Sequence, residues 1–191
     1  MRFIPLLDAG AAVQARVRLL RNQPDVRKYM YTCHEISEVE HQAWLDSLKG
    51  NARQSVFVII NAGQPIGIVS LSAINTVQKT ADWAFYLDPQ LQGKGFGSLV
   101  EFWLLDHAFN DAGLEKLNCE VLQSNTAVIG MHQKFGFALE GVRRQNILQD
   151  GQRLDVVLLG ITAQEWRTRR PELEPSILRL QSRAGSVDES R

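Results

Sequence analysis

A glycine-rich turn at residues 92–98, with the sequence QGKGFGS, is the feature that most constrains how this chain folds. An apolar run ends at Asp88-Pro89 just before it, and a helical pattern of apolar residues begins at Phe96. Glycines leave backbone N–H groups uncovered where a strand gives way to a helix, so several of these groups can point at one anion. The turn therefore predicts a pyrophosphate-binding site, and a flexible surface turn is the alternative.

The spacing Gln92-x-x-Gly95-x-Gly97 separates this turn from two common phosphate-binding motifs. A P-loop needs Gly-Lys followed by Ser or Thr after four intervening residues, and a dinucleotide-binding fold needs GxGxxG with an acid about 20 residues further on. The turn has neither pattern. Its spacing resembles the acetyl-CoA-binding motif Q/R-x-x-G-x-G/A of the GNAT-type N-acetyltransferases. This resemblance implies acetyl-CoA as a bound acetyl donor.

Composition and charge narrow the class of protein further. The 191 residues are 45% hydrophobic and 22% charged, which suits one compact domain with a sizeable core. The 21 basic residues balance 21 acidic ones, so the chain lacks the excess positive charge of nucleic-acid binders. No apolar run approaches the ~20 residues of a membrane span, and the apolar stretch after Met1 is too short for a signal peptide. We expect a cytoplasmic protein with no nucleic-acid or membrane partner.

The cysteines and histidines indicate no metal site. Cys33 and Cys119 lie outside any CxxC or Cys/His ligand spacing, and no two histidines have such spacing. We predict reduced thiols. Cys119 lies in the apolar run LNCEVL, which is typical of a small buried residue. Cys33 lies beside His34, and we do not expect a nucleophile there because no third group is placed to orient the pair.

Local patterns predict seven strands and six helices. The strands are expected at Arg2–Leu7, Ser55–Ile60, Pro65–Ala73, Lys79–Leu87, Lys116–Leu122, Leu139–Leu148 and Gln152–Ile161. The helices are expected from an Asp8 cap to Arg21, at Val26–Met30, after the capping box Ser37-x-x-Glu40, from Phe96 to Gly113, at Asn125–Phe135, and after the capping box Thr162-x-x-Glu165 through Trp166. The segments Asn61–Gln64 and Asp150-Gly151 predict hairpin turns. Residues 1–170 then form a single domain and residues 171–191 a partly disordered tail, with disorder expected from Ala184.

A second motif and the order of elements strengthen the resemblance. The segment from Asn125 to Phe137, NTAVIGMHQKFGF, is similar to the N-x-x-A-…-Y-x-K-x-G-F segment of the same family. The predicted elements, in order, resemble the whole GNAT fold. The resemblance implies an α/β (α+β) protein with a central mixed, mostly antiparallel sheet of about seven strands, flanked by helices.

The resemblance also implies how acetyl-CoA is held. The backbone at Phe85–Leu87 is expected to diverge from the neighbouring strand Lys116–Leu122, which opens a slot for the pantetheine arm next to a strand N–H that polarises the thioester carbonyl. Backbone N–H groups at the positive end of the following helix bind the pyrophosphate. The predicted acetyl-CoA-binding residues are Phe85, Leu87, Gln92, Gly93, Lys94, Gly95, Phe96, Gly97, Ser98, Asn125 and Lys134.

Direct acetyl transfer needs a base for the amine and an acid for the departing thiolate, and the predicted catalytic residues are Glu120 and His132. Glu120 stands five residues before Asn125 and twelve before His132, the spacing at which some protein N-terminal acetyltransferases of this family carry a Glu base and a Tyr acid. Many relatives carry Tyr where this chain has His132, and an imidazole can donate or accept a proton near neutral pH. The alternatives are a base acting through water, Glu120 as a polar-face residue, and His132 bonded to a backbone carbonyl.

The acceptor side resembles one branch of the family. The segments Arg21–Met30, His34–Ser37 and Glu40-His41 resemble acetyltransferases that modify the 4-amino group of a UDP-linked 4-amino-4,6-dideoxy sugar in pseudaminic acid biosynthesis, which feeds flagellin glycosylation. Guanidinium groups could bind the diphosphate of such a substrate. The predicted substrate-binding residues are Arg21, Arg27, His34, Glu35, Ser70, Ser72, Arg143 and Arg144, with ordinary solvated surface charge as the alternative for the charged ones.

Three alternatives to this substrate stay open. A protein N-terminus, as in the ribosomal-protein type, or a polyamine is the acceptor in other branches, and acidic residues lining the cleft would favour these two. A non-catalytic acyl-CoA-binding sensor is the third, because His132 replaces the Tyr of many relatives. The family resemblance also allows a homodimer.

Overall fold

A mixed sheet of seven strands organises the described part of the chain. The structure is a computed structural model that describes residues 1–186. The strands are β1 (Arg2–Pro5), β2 (Ser55–Asn61), β3 (Gln64–Asn75), β4 (Thr80–Leu87), β5 (Lys116–Leu122), β6 (Ala138–Gln149) and β7 (Gln152–Thr162). Their order across the sheet is β1-β2-β3-β4-β5-β7-β6, and every neighbouring pair is antiparallel except β4 and β5. The predicted mixed, mostly antiparallel sheet is confirmed.

Six helices within residues 1–186 cover the two faces of this sheet. They are α1 (Ala11–Arg21), α2 (Pro24–Arg27), α3 (Glu38–Leu48), α4 (Phe96–Asp106), α5 (Thr126–Phe135) and α6 (Ala163–Ser186). Apolar residues of α1, α2 and α3 form one buried cluster on what we call the α1 face. Apolar residues of α4, α5 and α6 form a second, larger cluster on the α4 face. None of the helices in this part of the chain is long and apolar enough to cross a bilayer.

Strand alternation decides which side chains reach each face. On β3, Ile68 belongs to the α1-face cluster and Val69 to the α4-face cluster. On β5, Cys119 belongs to the α4-face cluster, so its neighbour Glu120 points to the α1 face. The α5 residue Phe135 packs in the α4-face cluster, and α5 therefore lies on the opposite side of the sheet from the Glu120 carboxylate.

Two hairpins form where the sequence predicts them. Ala62 and Gly63 join β2 to β3 with φ angles of 49° and 73°. Asp150 and Gly151 join β6 to β7 with φ angles of 49° and 77°. Positive φ at both central residues matches the right-handed twist of the flanking strands, and Asp-Gly adopts it readily. Both turn predictions are confirmed.

The predicted N-terminal boundaries were wrong by a few residues. β1 ends at Pro5, and Leu6–Asp8 form a short 3-10 turn that buries Leu6 in the α1-face cluster. The helix α1 has Gly10 as its N-cap, so Asp8 does not cap it. The burial of Leu6 bends the chain before the helix can begin, which the local pattern of polar residues does not reveal.

The last helix extends well beyond its predicted length. It runs through Pro171 and Pro175 to Ser186, and both Leu173 and Ile177 are buried in the α4-face cluster. A proline inside a helix costs about 3 kcal/mol or more, and this apolar burial offsets it. Residues 171–186 are therefore part of the folded unit and not a tail, whereas the remainder of the predicted disordered segment, residues 187–191, lies outside the described residues.

Candidate active site

The glycine-rich turn leads into the N-terminus of α4, where Gly95 is the N-cap with φ 85°. This left-handed conformation carries no Cβ penalty in glycine. The N–H of Leu99 donates to the Gly95 carbonyl at 3.2 Å. The N–H groups of Phe96, Gly97 and Ser98 come before it, at the helix positions that have no helical acceptor. Together with the helix dipole, these three donors give the turn the means to bind an anion.

The side chains around the turn differ in exposure. Gln92, Gly93 and Lys94 are exposed, whereas Gly97 and Ser98 are half-buried. Phe96 was predicted to bind acetyl-CoA, but its ring is buried in the α4-face cluster. This residue can therefore offer only its backbone N–H to a ligand.

A slot opens between β4 and β5. The two strands pair only where residues 80–82 face residues 116–118. Beyond Asp82 and Asn118, no residue of β4 pairs with a residue of β5. The two strands therefore diverge, as the family resemblance implied. Phe85 and Leu87 lie on the part of β4 that does not pair with β5, and both are half-buried. Unpaired strand N–H groups beside such a slot are suited to polarising a carbonyl.

The slot, the glycine-rich turn and α5 meet at one point on the α4 face. A Cβ atom added at Gly97 would lie 3.1 Å from Sδ of Met131 and 3.9 Å from Cε2 of Phe85. A side chain at this position would require the end of the Met131 side chain to shift by a few tenths of an ångström. The neighbour of Met131 in α5 is His132, so a predicted catalytic residue lies beside the predicted acetyl-CoA site.

Two further residues with predicted acetyl-CoA contacts frame α5. Asn125 is the N-cap of α5, half-buried, with no side-chain hydrogen bond to the helix. Its carbonyl accepts a hydrogen bond from the N–H of Ile129 at 3.1 Å. Lys134 is exposed near the other end of α5, and its carbonyl accepts from Nε of Arg169 at 3.0 Å. The Asn125 amide thus stays available to a ligand.

His132 is buried and forms a hydrogen bond with an acid from another helix. Its side chain is 3% exposed, and Nδ1 lies 2.9 Å from Oε1 of Glu101, which is fully buried on α4. The partner is a carboxyl group and not the backbone carbonyl considered above. Burial raises the pKa of Glu101, and the charge of His132 and the hydrogen bond to it offset part of that rise. The pair is a candidate proton donor and acceptor next to the slot.

Sequence reasoning missed Glu101. The signal was present, because this residue is the one acid within the apolar run SLVEFWLL at residues 98–105. A charged residue is almost never fully buried without a partner, so an acid on an apolar helix implies a buried partner elsewhere. The residue 31 positions later that meets it is His132.

Glu120 lies on the α1 face in contact with two other side chains. The hydroxyl of Tyr31 donates to Oε2 of Glu120 at 2.6 Å, and Nη1 of Arg143 donates to Oε1. Burial, followed by the hydrogen bond to Glu120, raises the pKa of Tyr31 well above its ordinary value. The guanidinium of Arg143, which was predicted to bind the substrate diphosphate, is paired with Glu120, because the register of β5, β7 and β6 brings both residues to one face.

Arg21 of α1 and Arg27 of α2 are close enough for their charges to interact. Nη2 of Arg21 donates to the carbonyl of Thr32 at 2.6 Å, and Nη2 of Arg27 lies 3.6 Å from Oε1 of Glu35. Nη1 of Arg21 and Nε of Arg27 are buried and have no hydrogen-bond partner among the described residues. Burial lowers the pKa of Arg21, and the charge of Arg27 contributes to the lowering. Three of the predicted substrate-binding residues therefore lie together here.

The other predicted substrate-binding residues are spread more widely. His34 is bonded to Glu40 at 2.8 Å and is well exposed. Ser70 donates from Oγ to the carbonyl of Ala84 at 3.3 Å, on the same face as Glu120, and Ser72 is half-buried two residues later. Arg144 is exposed within the register shift between Arg143 and Ile147. Within residues 1–186, no three His, Cys, Asp or Glu side chains are grouped as metal ligands.

Comparison with known proteins assigns this fold and site to a family. The family model described as acetyltransferase (GNAT) domain matches residues 3–138. The chain belongs to this family of N-acetyltransferases, which use acetyl-CoA as the acetyl donor. The enzyme class and the donor inferred from the glycine-rich turn are confirmed.

Two curated relatives with different names match the chain at similar sequence identity. A spermidine N(1)-acetyltransferase from Escherichia coli is 28% identical over 136 residues, which cover 71% of this chain and 73% of the relative. The acetyltransferase PseH from Campylobacter jejuni is 25% identical over 119 residues, covering 62% of this chain and 73% of the relative. Among solved structures, a spermidine N-acetyltransferase from Vibrio cholerae in complex with CoA and spermine has a TM-score of 0.79 at 22% identity, covering 86% of this chain and 96% of that one. That likeness shows the fold.

Proposed function

We propose that this enzyme acetylates the 4-amino group of a UDP-linked 4-amino-4,6-dideoxy sugar. The observation that carries the proposal is the pair of buried, unpartnered guanidinium nitrogens, Nη1 of Arg21 and Nε of Arg27. The segment that contains them is also the part of the sequence that resembles the sugar-acetylating branch.

These two nitrogens favour an anionic acceptor. A buried N–H group of a charged side chain costs free energy unless it donates to a partner. Thr32 and Glu35 each contact one nitrogen, Nη2 of Arg21 and Nη2 of Arg27, which restricts the orientation of both guanidinium groups. A diphosphate presents oxygens that can accept from two guanidinium groups at once. A polycationic acceptor would be repelled by the same two charges.

The contacts of Glu120 also favour an anionic acceptor over a polyamine. A polyamine site needs carboxylates that are free to pair with ammonium groups. Arg143 and Tyr31 already occupy both oxygens of Glu120, and the charge of Arg143 offsets that of the carboxylate. The α1 face therefore offers less free negative charge than its sequence suggests.

Spermidine is the second candidate acceptor. It is supported by the Escherichia coli relative, which matches more of this chain, and at higher identity, than the PseH relative does. Glu35 and Glu40 are exposed carboxylates on the α1 face that could attract a cation.

The proposed reaction uses the two faces of the sheet for two proton transfers. Bound acetyl-CoA supplies an electrophilic thioester carbonyl and a thiolate leaving group. On the α1 face, Glu120 accepts the proton of the substrate ammonium, which replaces the Tyr31 hydroxyl as a donor to Oε2. On the α4 face, His132 donates a proton from Nε2. The divergence of β4 and β5 past Asp82 connects the two faces.

The test is thiol release from acetyl-CoA with three acceptors: a UDP-4-amino-4,6-dideoxy sugar, spermidine and a peptide with a free N-terminus. We expect turnover with the sugar and competitive inhibition by UDP alone. Arg21→Met should raise the KM for the sugar by about 10- to 100-fold, the equivalent of ~1.5–3 kcal/mol for a hydrogen bond to a charged group. Its matched control is Arg53→Met, an exposed arginine in the loop before β2.

Two results would reject the sugar assignment. One is turnover with spermidine or the peptide and none with the sugar. The other is a KM for the sugar that is the same in the wild type and in Arg21→Met. Turnover with spermidine and none with the sugar would support spermidine as the acceptor.

A further inference from the structure

Glu101 and His132 form an isolated acidic and basic pair inside the α4-face cluster. The carboxyl and the imidazole are 0% and 3% exposed, and Oε1 lies 2.9 Å from Nδ1. Oε2 of Glu101 is buried and has no hydrogen-bond partner among the described residues. A buried carboxylate is costly unless it is paired. Because His132 is the one partner of Glu101 in residues 1–186, the two side chains must be treated as one titrating unit.

Aromatic rings hold the imidazole in place. The ring of Trp83 meets that of His132 edge-on with centroids 4.9 Å apart, and Phe137 lies at 5.3 Å. Phe85, on the unpaired stretch of β4, lies at 6.5 Å. Such packing leaves little freedom for the ring to rotate. The direction of Nε2, on the side of the ring away from Glu101, is therefore determined by the core.

The titratable groups near the pair are few. On β5, Cys119 packs in the same cluster, and burial raises the pKa of its thiol so that it stays neutral. The charge of Glu101 adds to this effect, and Asp82 of β4 and Glu140 of β6 raise the pKa of the same thiol to a smaller extent. On α5 itself, Lys134 is exposed two residues after His132. The dominant influence on the protons of His132 is thus Glu101.

Burial decides how many protons the pair holds. Since burial raises the pKa of Glu101, a lone buried carboxylate beside a neutral imidazole is disfavoured. The favoured states are a neutral carboxyl that donates to Nδ1, and a carboxylate that accepts from the Nδ1–H of an imidazolium. In both states Nε2 carries a hydrogen. The pair thus presents Nε2–H of His132 as a proton donor, on the side of the imidazole ring away from Glu101.

We propose that Glu101 is a positioning residue that keeps a hydrogen on Nε2 of His132, so that His132 protonates the departing CoA thiolate. In this step the amine nitrogen forms a bond to the acetyl carbon and releases one proton to water, and the electron pair of the breaking C–S bond stays on sulfur. Sulfur then takes the Nε2 hydrogen of His132, and the pair regains a proton from water after CoA leaves. The inference rests on acetyl transfer and on the proposed role of His132, and it holds whichever amine is the acceptor.

Nuclear magnetic resonance of 15N-labelled imidazole rings tests the resting state without any acceptor. The His132 signals are assigned by their loss in His132→Phe. We expect Nε2 of His132 to carry a hydrogen throughout about pH 6 to 8 in the wild type, and Glu101→Leu to lose that preference. A wild-type Nε2 without hydrogen in this range would overturn the proposal, even if every kinetic experiment failed for lack of the right amine.

Kinetics separate positioning from a structural role. With whichever panel amine reacts, Glu101→Leu should lower kcat by about 10- to 100-fold and leave the KM for acetyl-CoA unchanged. This loss is smaller than the ~10²- to 10⁴-fold contribution of a general acid, because the imidazole itself is still present. In a His132→Phe background the same substitution should have no further effect, because Glu101 acts through His132. An equal effect of Glu101→Leu in both backgrounds would refute the positioning role.

A second variant on α4 serves as a control for effects on folding. Leu is similar in size to Glu and fills the space, but Nδ1 of His132 loses its hydrogen-bond partner, so Glu101→Leu should fold with reduced stability. Asp106→Asn, also on α4, weakens contacts with Arg170 and Trp166 and does not touch His132. This control should lower thermal stability without changing the imidazole signals. The same changes of the His132 signals in Asp106→Asn would mean that the signals report general loosening, and the proposal would fail.

Discussion

Leu180 near the end of α6 packs directly on Gly95, the N-cap of α4. A Cβ atom added at Gly95 would lie 2.6 Å from Cδ2 of Leu180, closer than real side chains come. The C-terminal helix therefore reaches the glycine-rich turn that was predicted to bind the acetyl donor. A segment predicted to be a partly disordered tail thus packs against that turn.

Gly95→Ala should raise the KM for acetyl-CoA and lower the melting temperature. Two causes contribute: strain of about 1–2 kcal/mol for a left-handed non-glycine residue, and the clash with Leu180. Adding Leu180→Ala should relieve the clash and leave the strain. Thermal unfolding of the two single variants and the double variant measures the coupling. Strict additivity would show that the two residues do not press on each other.

Ile177→Ala should destabilise the protein by about 2–5 kcal/mol, the usual cost of emptying a buried isoleucine site. Ile177 is 4% exposed in the α4-face cluster. Leu178, the next residue, is 56% exposed, and Leu178→Ala should change the free energy of unfolding by no more than ~0.5 kcal/mol. Urea unfolding of the two variants compares them. Equal losses would mean that this part of α6 does not dock as described.

The stability contributed by Glu101 should fall as pH rises. Its pKa is raised in the folded state by burial, so between its ordinary pKa and its folded pKa the folded protein binds more protons than the unfolded chain. The free energy of unfolding then decreases with pH across that window. Glu101→Gln removes this dependence, and its stability relative to the wild type should increase with pH. Glu172→Gln, at an exposed ion pair with Arg169, is the control and should show no such trend.

Glu40 should show the opposite dependence. Hydrogen bonds from the backbone and side chain of Ser37, with a smaller effect of His34, lower the pKa of Glu40 to about 2. Its contribution is complete above its ordinary pKa and is lost as the pH falls toward about 2. Glu40→Gln keeps the capping-box geometry and should flatten the acid side of the stability curve. Glu38→Gln, in the same helical turn, should leave that side unchanged, and equal flattening in both would exclude a specific role of Glu40.

The two thiols should differ in reactivity. Cys33 is half-buried, whereas Cys119 is buried and its thiol pKa is raised by that burial. A thiolate is the reactive form, so a disulfide reagent should titrate one thiol in the native protein and two after unfolding. In the Cys33→Ser variant the reagent should modify no thiol in the native state. This variant would therefore give no background signal in thiol-release assays. Rapid modification of that variant would show that Cys119 is accessible.

Local chemistry explains what could be predicted from the sequence. The capping box of Ser37 and Glu40 forms because the two residues are three apart and satisfy each other's backbone donors. The box of Thr162 and Glu165 forms in the same way. These features involve neighbours in sequence, so the residue pattern determines them wherever the segment lies.

Long-range burial explains what could not be predicted. Pro171 and Pro175 indicate a helix end by local rules, yet α6 passes through both because Leu173 and Ile177 pack in the core. The pairing of Arg143 with Glu120 depends on the register of three strands. No local pattern contains that information.

The sequence by itself determined the glycine-rich turn and both hairpins, because short-range geometry specifies them, and its resemblance to the family implied the mixed, mostly antiparallel sheet. It also identified Glu120 and His132 as candidates for proton transfer. Only the tertiary structure decided that they lie on opposite faces of the sheet, with Tyr31 reaching Glu120 across 89 positions and Glu101 reaching His132 across 31. Charge pairing and desolvation depend on which distant groups meet in the folded chain, and that is why these contacts became visible only in three dimensions.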